Sequence, residues 1–254
     1  MKKAIDYVLS VPYMLYFGLV LLIFHGAQVI ALRGFGPRAH KQTVDWMNAF
    51  ISFGWLLTGT TIDFQQRFDL PTDRPLIFVA NHQSMFDIPP IIWFLRRHTP
   101  IFISKIELAR GIPAVSYNLR HSGAALINRE DGKQAIVEIA RLGTRIAQRN
   151  ESAVIFPEGT RSASGVLRPF AVAGVSVLLK KAPGALVVPI AIQGTGRFTP
   201  RGTFPLTAFS RLRWTVLPPI DPRGQSPDAV VQQARTAIES VLTGGATVLS
   251  GQPT

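Results

Sequence analysis

The chain has 254 residues, with 27 lysine and arginine residues against 15 aspartate and glutamate residues, which gives a formal net charge of +12 at pH 7. This charge favours anionic partners, among which nucleic acid, anionic lipid and phosphorylated cosubstrates all qualify. Because the sequence contains no cysteine, it excludes a disulfide framework, a thiolate nucleophile and a cysteine zinc site.

The amino-terminal part of the chain is apolar. No charged residue lies between Asp6 and Arg33, and this run exceeds the ~20 residues that span a bilayer. A cleaved signal peptide is the alternative, since Lys2 and Lys3 form a basic start. The run is longer than the roughly 7 to 15 residues of a signal core, however, and a membrane segment is the better interpretation.

A second apolar stretch covers residues 44–57 and has aromatic and aliphatic side chains at helical spacing, namely Trp46, Phe50, Phe53 and Leu57. We therefore predict two membrane-associated helices within residues 1–59, joined by a basic loop over residues 33–41. Basic residues flank the first helix on both sides, so the charge bias leaves open whether the helices span the bilayer or lie in its interface.

The composition changes at Thr60 to that of a soluble domain, which we place at residues 60–243, followed by a flexible tail at 244–254. Short apolar runs predict strands at residues 61–68, 75–80, 100–104, 124–127, 153–156, 185–192 and 212–216. Pro189 argues for an irregular or edge position of its strand. Helices are predicted at residues 88–97, from Asp131 and from Ser226. We expect an α/β fold with a mixed, mainly parallel central sheet covered by helices, preceded by the membrane-associated segment.

The polar stretch Asn81-His82-Gln83-Ser84-Met85-Phe86-Asp87 follows the predicted strand at 75–80. A neutral imidazole can take a proton from a hydroxyl, and a carboxylate on its far nitrogen would fix the tautomer. His82 and Asp87 have these two identities, at a spacing that suits a tight turn and the first turn of a helix. Taken alone, they also fit a loop histidine and a helix-capping aspartate.

Three later stretches also end apolar runs with charged residues or a proline, at residues 123–129, 156–162 and 187–190. Together with residues 81–87 they resemble, in order and spacing, the four motifs of the glycerolipid acyltransferases. The closest match is the 1-acyl-sn-glycerol-3-phosphate (lysophosphatidic acid) acyltransferase family, and the resemblance spans roughly residues 76–192.

The resemblance implies an acyl transfer without a metal and without a cofactor other than the acyl donor. His82 would deprotonate the sn-2 hydroxyl of lysophosphatidic acid, Asp87 would orient His82, and the hydroxyl oxygen would attack the thioester of acyl-coenzyme A or acyl carrier protein to give phosphatidic acid. The implied substrate-binding residues are Asn81, Ser84, Lys105, Arg129, Glu158, Gly159, Thr160 and Arg161. The implied partners are the lysophospholipid, the acyl donor and the bilayer, with no nucleic acid, and the expected location is the cytoplasmic face of the inner (plasma) membrane.

The stretch at 156–162 contains the features that phosphate recognition needs. Gly159 allows close backbone approach and Arg161 offers a bidentate fork. Glu158 would repel a phosphate, so we expect it to hold Arg161 or a substrate hydroxyl. Many family members carry a pair of basic residues shortly after this motif, whereas this chain reads Phe170-Ala171-Val172-Ala173-Gly174, so phosphate or coenzyme A contacts are not carried over to that segment.

Two further basic residues follow predicted strands. Arg129 lies beside a helix amino terminus, where amides and a guanidinium can bind phosphate together, and the alternative is an ion pair with Glu130 or Asp131. Lys105 follows the strand at 100–104, where the resemblance places a basic residue that faces anionic substrate. The alternative for Lys105 is an ordinary surface lysine.

Other functions agree less well with the sequence. The motifs indicate the chemistry better than the acceptor, so another lysophospholipid or an amine lipid is the main alternative. A membrane-anchored serine hydrolase would need a Gly-x-Ser-x-Gly elbow, which the sequence lacks. A non-catalytic membrane-binding module gives no reason for His82 and Asp87 beside Glu158 and Arg161, and the scattered charge does not form a nucleic-acid-binding module. Chain-length preference and oligomeric state are left open.

Overall fold

The computed structural model describes residues 2–162 and 164–244, so Met1 and residues 245–254 of the predicted tail lie outside the described residues. The helices are α1 (Lys2–Ile30), α2 (Pro37–Gly54), α3 (Ile88–Phe94), α4 (Val115–His121), α5 (Gly132–Arg149), α6 (Val172–Lys181), the single turn α7 (Thr195–Phe198) and α8 (Pro227–Leu242). The strands are β1 (Thr61–Gln66), β2 (Leu76–Ala80), β3 (Pro100–Lys105), β4 (Ala125–Ile127), β5 (Ser152–Ile155), β6 (Leu186–Gln193) and β7 (Arg211–Val216).

The seven strands form one sheet in the order β1-β7-β6-β2-β5-β3-β4. All neighbouring pairs are parallel except β6 and β7, which are antiparallel. The predicted mixed, mainly parallel sheet is therefore confirmed. Strand β2 lies near the centre, where Val79 is in register with Ile155 of β5 and Pro189 of β6.

Of the two positions expected for Pro189, irregular or edge, the edge position is wrong, because β6 pairs with β2 on one side and β7 on the other. The carbonyl of Pro189 accepts a hydrogen bond of 2.9 Å from the amide of Leu217, just past the end of β7. The nitrogen and carbonyl of a strand residue point to the same side, so the missing N–H of Pro189 faces the point where its antiparallel partner ends.

The basic loop predicted at residues 33–41 is also different in the structure. A π-helical turn, Ala31–Phe35, continues α1, and α2 begins at Pro37. Proline is favoured at a first helical position because its missing N–H and fixed φ match that position. The preceding Gly36 has φ = +86°, which lets the chain reverse direction within one residue.

Helices α1 and α2 share an apolar core with the face of the sheet that α3 also covers. Trp55, in the turn after α2, donates a hydrogen bond of 2.7 Å from its indole nitrogen to the hydroxyl of Tyr13. The indole ring also stacks on Trp214 of β7, with centroids 6.2 Å apart. Helices α5, α6 and α8 cover the other face. The division at residue 60 stays a prediction, but the two segments are packed together.

The outer faces of α1 and α2 are exposed and apolar, with side chains that include Val8, Leu15, Leu19, Leu22, Ile23, Trp46, Phe50 and Phe53. Within the described residues, the segment Lys2–Phe35 is the one helix that is long and apolar enough, by length and composition, to cross a membrane. About a fifth of its most apolar window is buried inside the protein.

Candidate active site

Three of the four predicted motifs lie at the carboxyl edge of the sheet, whereas the fourth, residues 187–190, lies inside β6. Residues 81–87 follow β2, residues 156–162 follow β5, Asn128 and Arg129 follow β4, and Lys105 ends β3. These four strands are parallel, so their carboxyl ends lie at the same edge, which is where open α/β sheets bind ligands. Within the described residues, no group of three or more histidine, aspartate or glutamate side chains is placed to hold a metal ion.

His82 and Asp87 form a buried hydrogen-bonded pair. The Nδ1 atom of His82 lies 2.7 Å from Oδ2 of Asp87, which also accepts the backbone amides of Gln83 at 2.7 Å and Ser84 at 2.9 Å. Oδ2 of Asp87 accepts both amides, so it is also the acceptor in its contact with His82. The proton of that contact therefore lies on Nδ1 of His82. The Nε2 atom of His82 then carries the lone pair and can act as a base.

The loop after β5 holds the loop after β2. Phe156 stacks on the imidazole of His82, with ring centroids 4.1 Å apart. Ser162 donates its amide to the carbonyl of His82 at 2.7 Å, and the carboxylate of Glu158 accepts the amide of His82 at 2.7 Å. The backbone and ring of His82 are therefore positioned by a segment about 75 residues further along the chain.

Glu158 does not form an ion pair with Arg161 in the part of the chain that the structure describes. Its second carboxylate oxygen instead accepts the amide of Arg168 at 3.1 Å. Burial raises the pKa of Glu158, and the amides of His82 and Arg168 oppose that rise because they favour the charged form. The expected contact with a substrate hydroxyl stays a prediction.

Asn81 and Ser84, both predicted to bind substrate, are buried and engaged within the protein. The side-chain amide of Asn81 donates to the carbonyl of Ile192 at 2.9 Å and accepts its amide at 2.7 Å, which ties the end of β2 to β6. The hydroxyl of Ser84 accepts hydrogen bonds from the amide of Phe86 and from the hydroxyl of Thr199. A contact of either residue with substrate stays a prediction.

The remaining predicted residues, Lys105, Arg129, Gly159, Thr160 and Arg161, are exposed at the carboxyl edge. Burial and the nearby positive charge of Arg161 lower the pKa of Arg129, while Glu107 opposes this. Both guanidinium groups therefore place positive charge at this edge of the sheet. Among the described residues, neither is within ion-pair distance of a carboxylate, including the carboxylates of Glu130 and Asp131.

Several residues that the sequence did not single out complete the site. Gln83 donates to the carbonyl of Ile192 at 3.0 Å, and its side-chain oxygen accepts the hydroxyl of Thr195 and the amide of Gly196. The indole of Trp214 donates to the carbonyl of Asp87 at 3.1 Å. Gln83 and Phe156 lie inside the motif stretches, so the sequence could have indicated that they belong to the site. No feature of the sequence near Trp214 indicates its contact with Asp87.

Comparison with known proteins supports the resemblance of the motifs. Residues 61–193 match the model of the family described as Acyltransferase. A chloroplastic 1-acyl-sn-glycerol-3-phosphate acyltransferase of Brassica napus is 30% identical over 177 residues, which cover 69% of this chain and 49% of the relative. The human 1-acyl-sn-glycerol-3-phosphate acyltransferase beta is 31% identical over 162 residues, 61% of this chain and 55% of the relative. The chain spans about half the length of the first curated relatives it matches.

The crystal structure of the 1-acyl-sn-glycerophosphate (LPA) acyltransferase of Thermotoga maritima has the same fold. The superposition covers 100% of both chains, with a TM-score of 0.74 and a sequence identity of 23%. The family match covers more than half of the chain and includes all four motifs. The chain therefore belongs to the acyltransferase family, together with the 1-acyl-sn-glycerol-3-phosphate acyltransferases that its motifs resemble.

Proposed function

We propose that this protein is a membrane-bound 1-acylglycerol-3-phosphate O-acyltransferase. It transfers a fatty acyl group from acyl-coenzyme A or acyl carrier protein to the sn-2 hydroxyl of lysophosphatidic acid, and the product is phosphatidic acid. The observation that carries the proposal is the buried contact of 2.7 Å between Nδ1 of His82 and Asp87, with Asp87 held by two backbone amides. The names of the curated relatives support the acceptor.

In the proposed reaction, Nε2 of His82 takes the proton of the sn-2 hydroxyl as its oxygen attacks the thioester carbonyl. The tetrahedral intermediate collapses, the carbon–sulfur bond breaks, and the thiolate takes the proton from the imidazolium. Asp87 stabilises the imidazolium between these steps. General-base help of this kind contributes on the order of a hundredfold to ten thousandfold.

The phosphate of the acceptor is assigned to the exposed cations at the same edge of the sheet. Arg129 and Arg161 have no carboxylate partner among the described residues, so both guanidinium groups are available to bind a phosphate. Gly159 has φ = +69°, and a Cβ atom there would meet nothing within 4 Å, so the backbone is open to a ligand. Lys105 adds a third positive charge, and Thr160 a hydroxyl.

The contacts of α1 support a placement of this helix in the membrane interface. Near its start, Asp6 accepts the amide of Ala208 and Ser10 accepts the amide of Leu206, both at 2.9 Å. Near its end, His25 accepts the amide of Ala114 at 3.1 Å. A helix bound at both ends to an α/β domain could cross the bilayer only if that domain entered the hydrocarbon, where its polar loops could not be hydrated.

We therefore assign α1 and α2 to the interface, with their outer apolar faces in one leaflet. The cytoplasmic face of the inner (plasma) membrane is the proposed side, since both thioester donors occur in the cytoplasm. Because apolar insertion is insensitive to salt whereas surface charges are screened over about 10 Å at 0.1 M, the full chain should stay on anionic vesicles at high salt. Release by salt alone would contradict the insertion of α1 and α2.

The proposed function is tested by an acyl-transfer assay of the purified chain across lysolipid headgroups, with acyl-coenzyme A and acyl carrier protein as separate donors. We expect transfer to lysophosphatidic acid, and its loss in His82→Ala with an unchanged melting temperature. Preferential transfer to a lysolipid without a phosphomonoester, or to an amine lipid, would contradict lysophosphatidic acid as the acceptor. Full activity of a folded His82→Ala variant would overturn the mechanism.

A further inference from the structure

We propose that residues 199–210, the connection between α7 and β7, form a third membrane-contacting element that inserts Phe204 and Phe209 into the bilayer beside α1 and α2. This inference rests on the membrane placement in the proposed function. It adds a loop of the α/β domain to a surface otherwise made by the two amino-terminal helices.

Phe209 is the first reason for this assignment. Its side chain is 67% exposed, and its backbone has φ = +56°, a left-handed conformation that bulky residues rarely adopt. In water, both the strained backbone and the exposed ring cost free energy, and glycine or asparagine would avoid both costs. Transfer of the ring into hydrocarbon recovers the cost of its exposure.

The position of the Phe209 ring is defined although most of it is exposed. The amide of Phe209 donates to the carbonyl of Thr58 at 2.9 Å, and a Cβ atom at Gly59 would lie 2.4 Å from the Phe209 ring. The ring therefore lies beside the turn that follows α2, where Leu56 and Leu57 are exposed as well.

Phe204 extends the same surface toward α1. Its ring meets the ring of Tyr7 edge to face, with centroids 5.5 Å apart, and both side chains are more than one third exposed. The loop is fixed to α1 by the amides of Leu206 and Ala208, which donate to Ser10 and Asp6. The depth of α1 in the bilayer therefore sets the depth of the loop.

The charges around the loop indicate which surface it meets. Exposed cations lie at the start of α1, within the loop and next to both of its ends along the chain, namely Lys2, Lys3, Arg197, Arg201 and Arg211. The carboxylate of Asp6 is engaged by the amide of Ala208. Exposed aromatic side chains accompanied by lysine and arginine are typical of a surface that inserts apolar groups below a layer of anionic headgroups.

The test uses the absence of cysteine in the chain, which makes any introduced cysteine a unique labelling position. An environment-sensitive fluorophore is attached to Phe204→Cys or Phe209→Cys, and the protein is mixed with vesicles of equal parts phosphatidylcholine and phosphatidylglycerol, with or without a doxyl-labelled lipid. Leu15→Cys on the outer face of α1 reports the proposed helix insertion. Val137→Cys is the control, because it is half exposed on α5, which covers the opposite face of the sheet.

We expect a blue shift and doxyl quenching of the labels at positions 15, 204 and 209, and neither at position 137. Quenching at position 15 without quenching at 204 and 209 would overturn the assignment of the loop and leave the helix placement intact. Absence of quenching at all positions would overturn the membrane placement itself. In unlabelled protein, Phe209→Ser should weaken vesicle binding by about tenfold or more, whereas Val137→Ser should not.

Discussion

The imidazole of His82 lies flat against the ring of Phe156, with centroids 4.1 Å apart and an angle of 16° between the planes. Phe156 follows β5 and His82 follows β2, and these two strands are adjacent in the sheet. The hydrogen bond to Asp87 restrains one atom of the imidazole, whereas the stack restrains the whole plane of the ring. The two contacts together define the direction of the Nε2 lone pair.

Phe156→Leu should therefore lower kcat with little change in KM for either substrate. The stack is worth about 0.5–1.5 kcal/mol, which corresponds to a loss of roughly twofold to tenfold if it acts only through the orientation of His82. Steady-state kinetics and thermal melting of the variant provide the measurement. Phe102→Leu is the control, because its ring is 6.1 Å from Phe156 and it has no stacking contact with His82 among the described residues. Equal losses in both variants would assign the effect to general packing.

Asp87→Asn should keep the fold and lower kcat on the order of a hundredfold to ten thousandfold. An asparagine oxygen can still accept the amides of Gln83 and Ser84, but it lacks the charge that stabilises the imidazolium. Asp87→Ala would leave these two buried amides without an acceptor, so it should also lower the melting temperature. Nearly unchanged kcat in a folded Asp87→Asn variant would mean that the aspartate is a helix cap and not a part of the base.

The local part of the site could be predicted from the sequence because each motif directly follows an apolar run. Strand ends in a parallel sheet share one edge, so the loops containing His82, Arg129 and Arg161 could be expected on the same side of the sheet. The directions in which the side chains of these loops point could not be predicted. Asn81 bonds Ile192 across 111 residues, and no periodicity in the sequence indicates that its amide is directed at the backbone of β6.

The packing of α1 could not be predicted from the sequence either. A helix that is apolar nearly all round gives no sign of which face meets lipid and which meets protein, because both environments select the same side chains. The structure buries Tyr13 and exposes Leu15 on the same helix. The position of Pro189 in an internal strand depends on where β7 ends, which is a property of the partner strand.

Arg161→Ala should raise KM for lysophosphatidic acid by roughly tenfold to a hundredfold, the range expected for a lost charge-assisted hydrogen bond of about 1.5–3 kcal/mol. The KM for the acyl donor should change much less, and Arg129→Ala should have a smaller effect of the same kind. Arg141→Ala is the matched control, since its guanidinium is exposed on α5 and paired with Glu138. An unchanged acceptor KM in both site variants would place the phosphate elsewhere.

Tyr13→Phe should lower the free energy of unfolding by about 1–3 kcal/mol, because the buried indole N–H of Trp55 loses its acceptor. For a chain of this size each kcal/mol corresponds to about 2–4 °C in Tm, which thermal denaturation can resolve. Tyr7→Phe is the control, since its hydroxyl has no partner among the described residues and its side chain is exposed. Equal Tm values for Tyr13→Phe and the unchanged chain would indicate that this hydrogen bond contributes little to the stability of the chain.

Glu158→Gln should change the pH dependence of stability, because burial raises the native pKa of Glu158 above its ordinary value of 4.5. A carboxyl group with a raised native pKa binds its proton more tightly in the folded chain than in the unfolded chain. Its contribution to stability is therefore fully present below pH 4.5 and is lost as the pH rises through the native pKa. Glutamine does not titrate, so the variant does not lose this stability as the pH rises.

Glutamine also lacks the second acceptor oxygen that binds the amide of Arg168, which lowers the stability of the variant by an amount independent of pH. The difference in unfolding free energy, variant minus unchanged chain, should therefore rise from below pH 4.5 to neutrality. Denaturant titrations at several pH values measure this difference, with Glu130→Gln as a control on the exposed surface. A difference that falls over this range would mean that the amides of His82 and Arg168 stabilise the Glu158 carboxylate more than burial destabilises it.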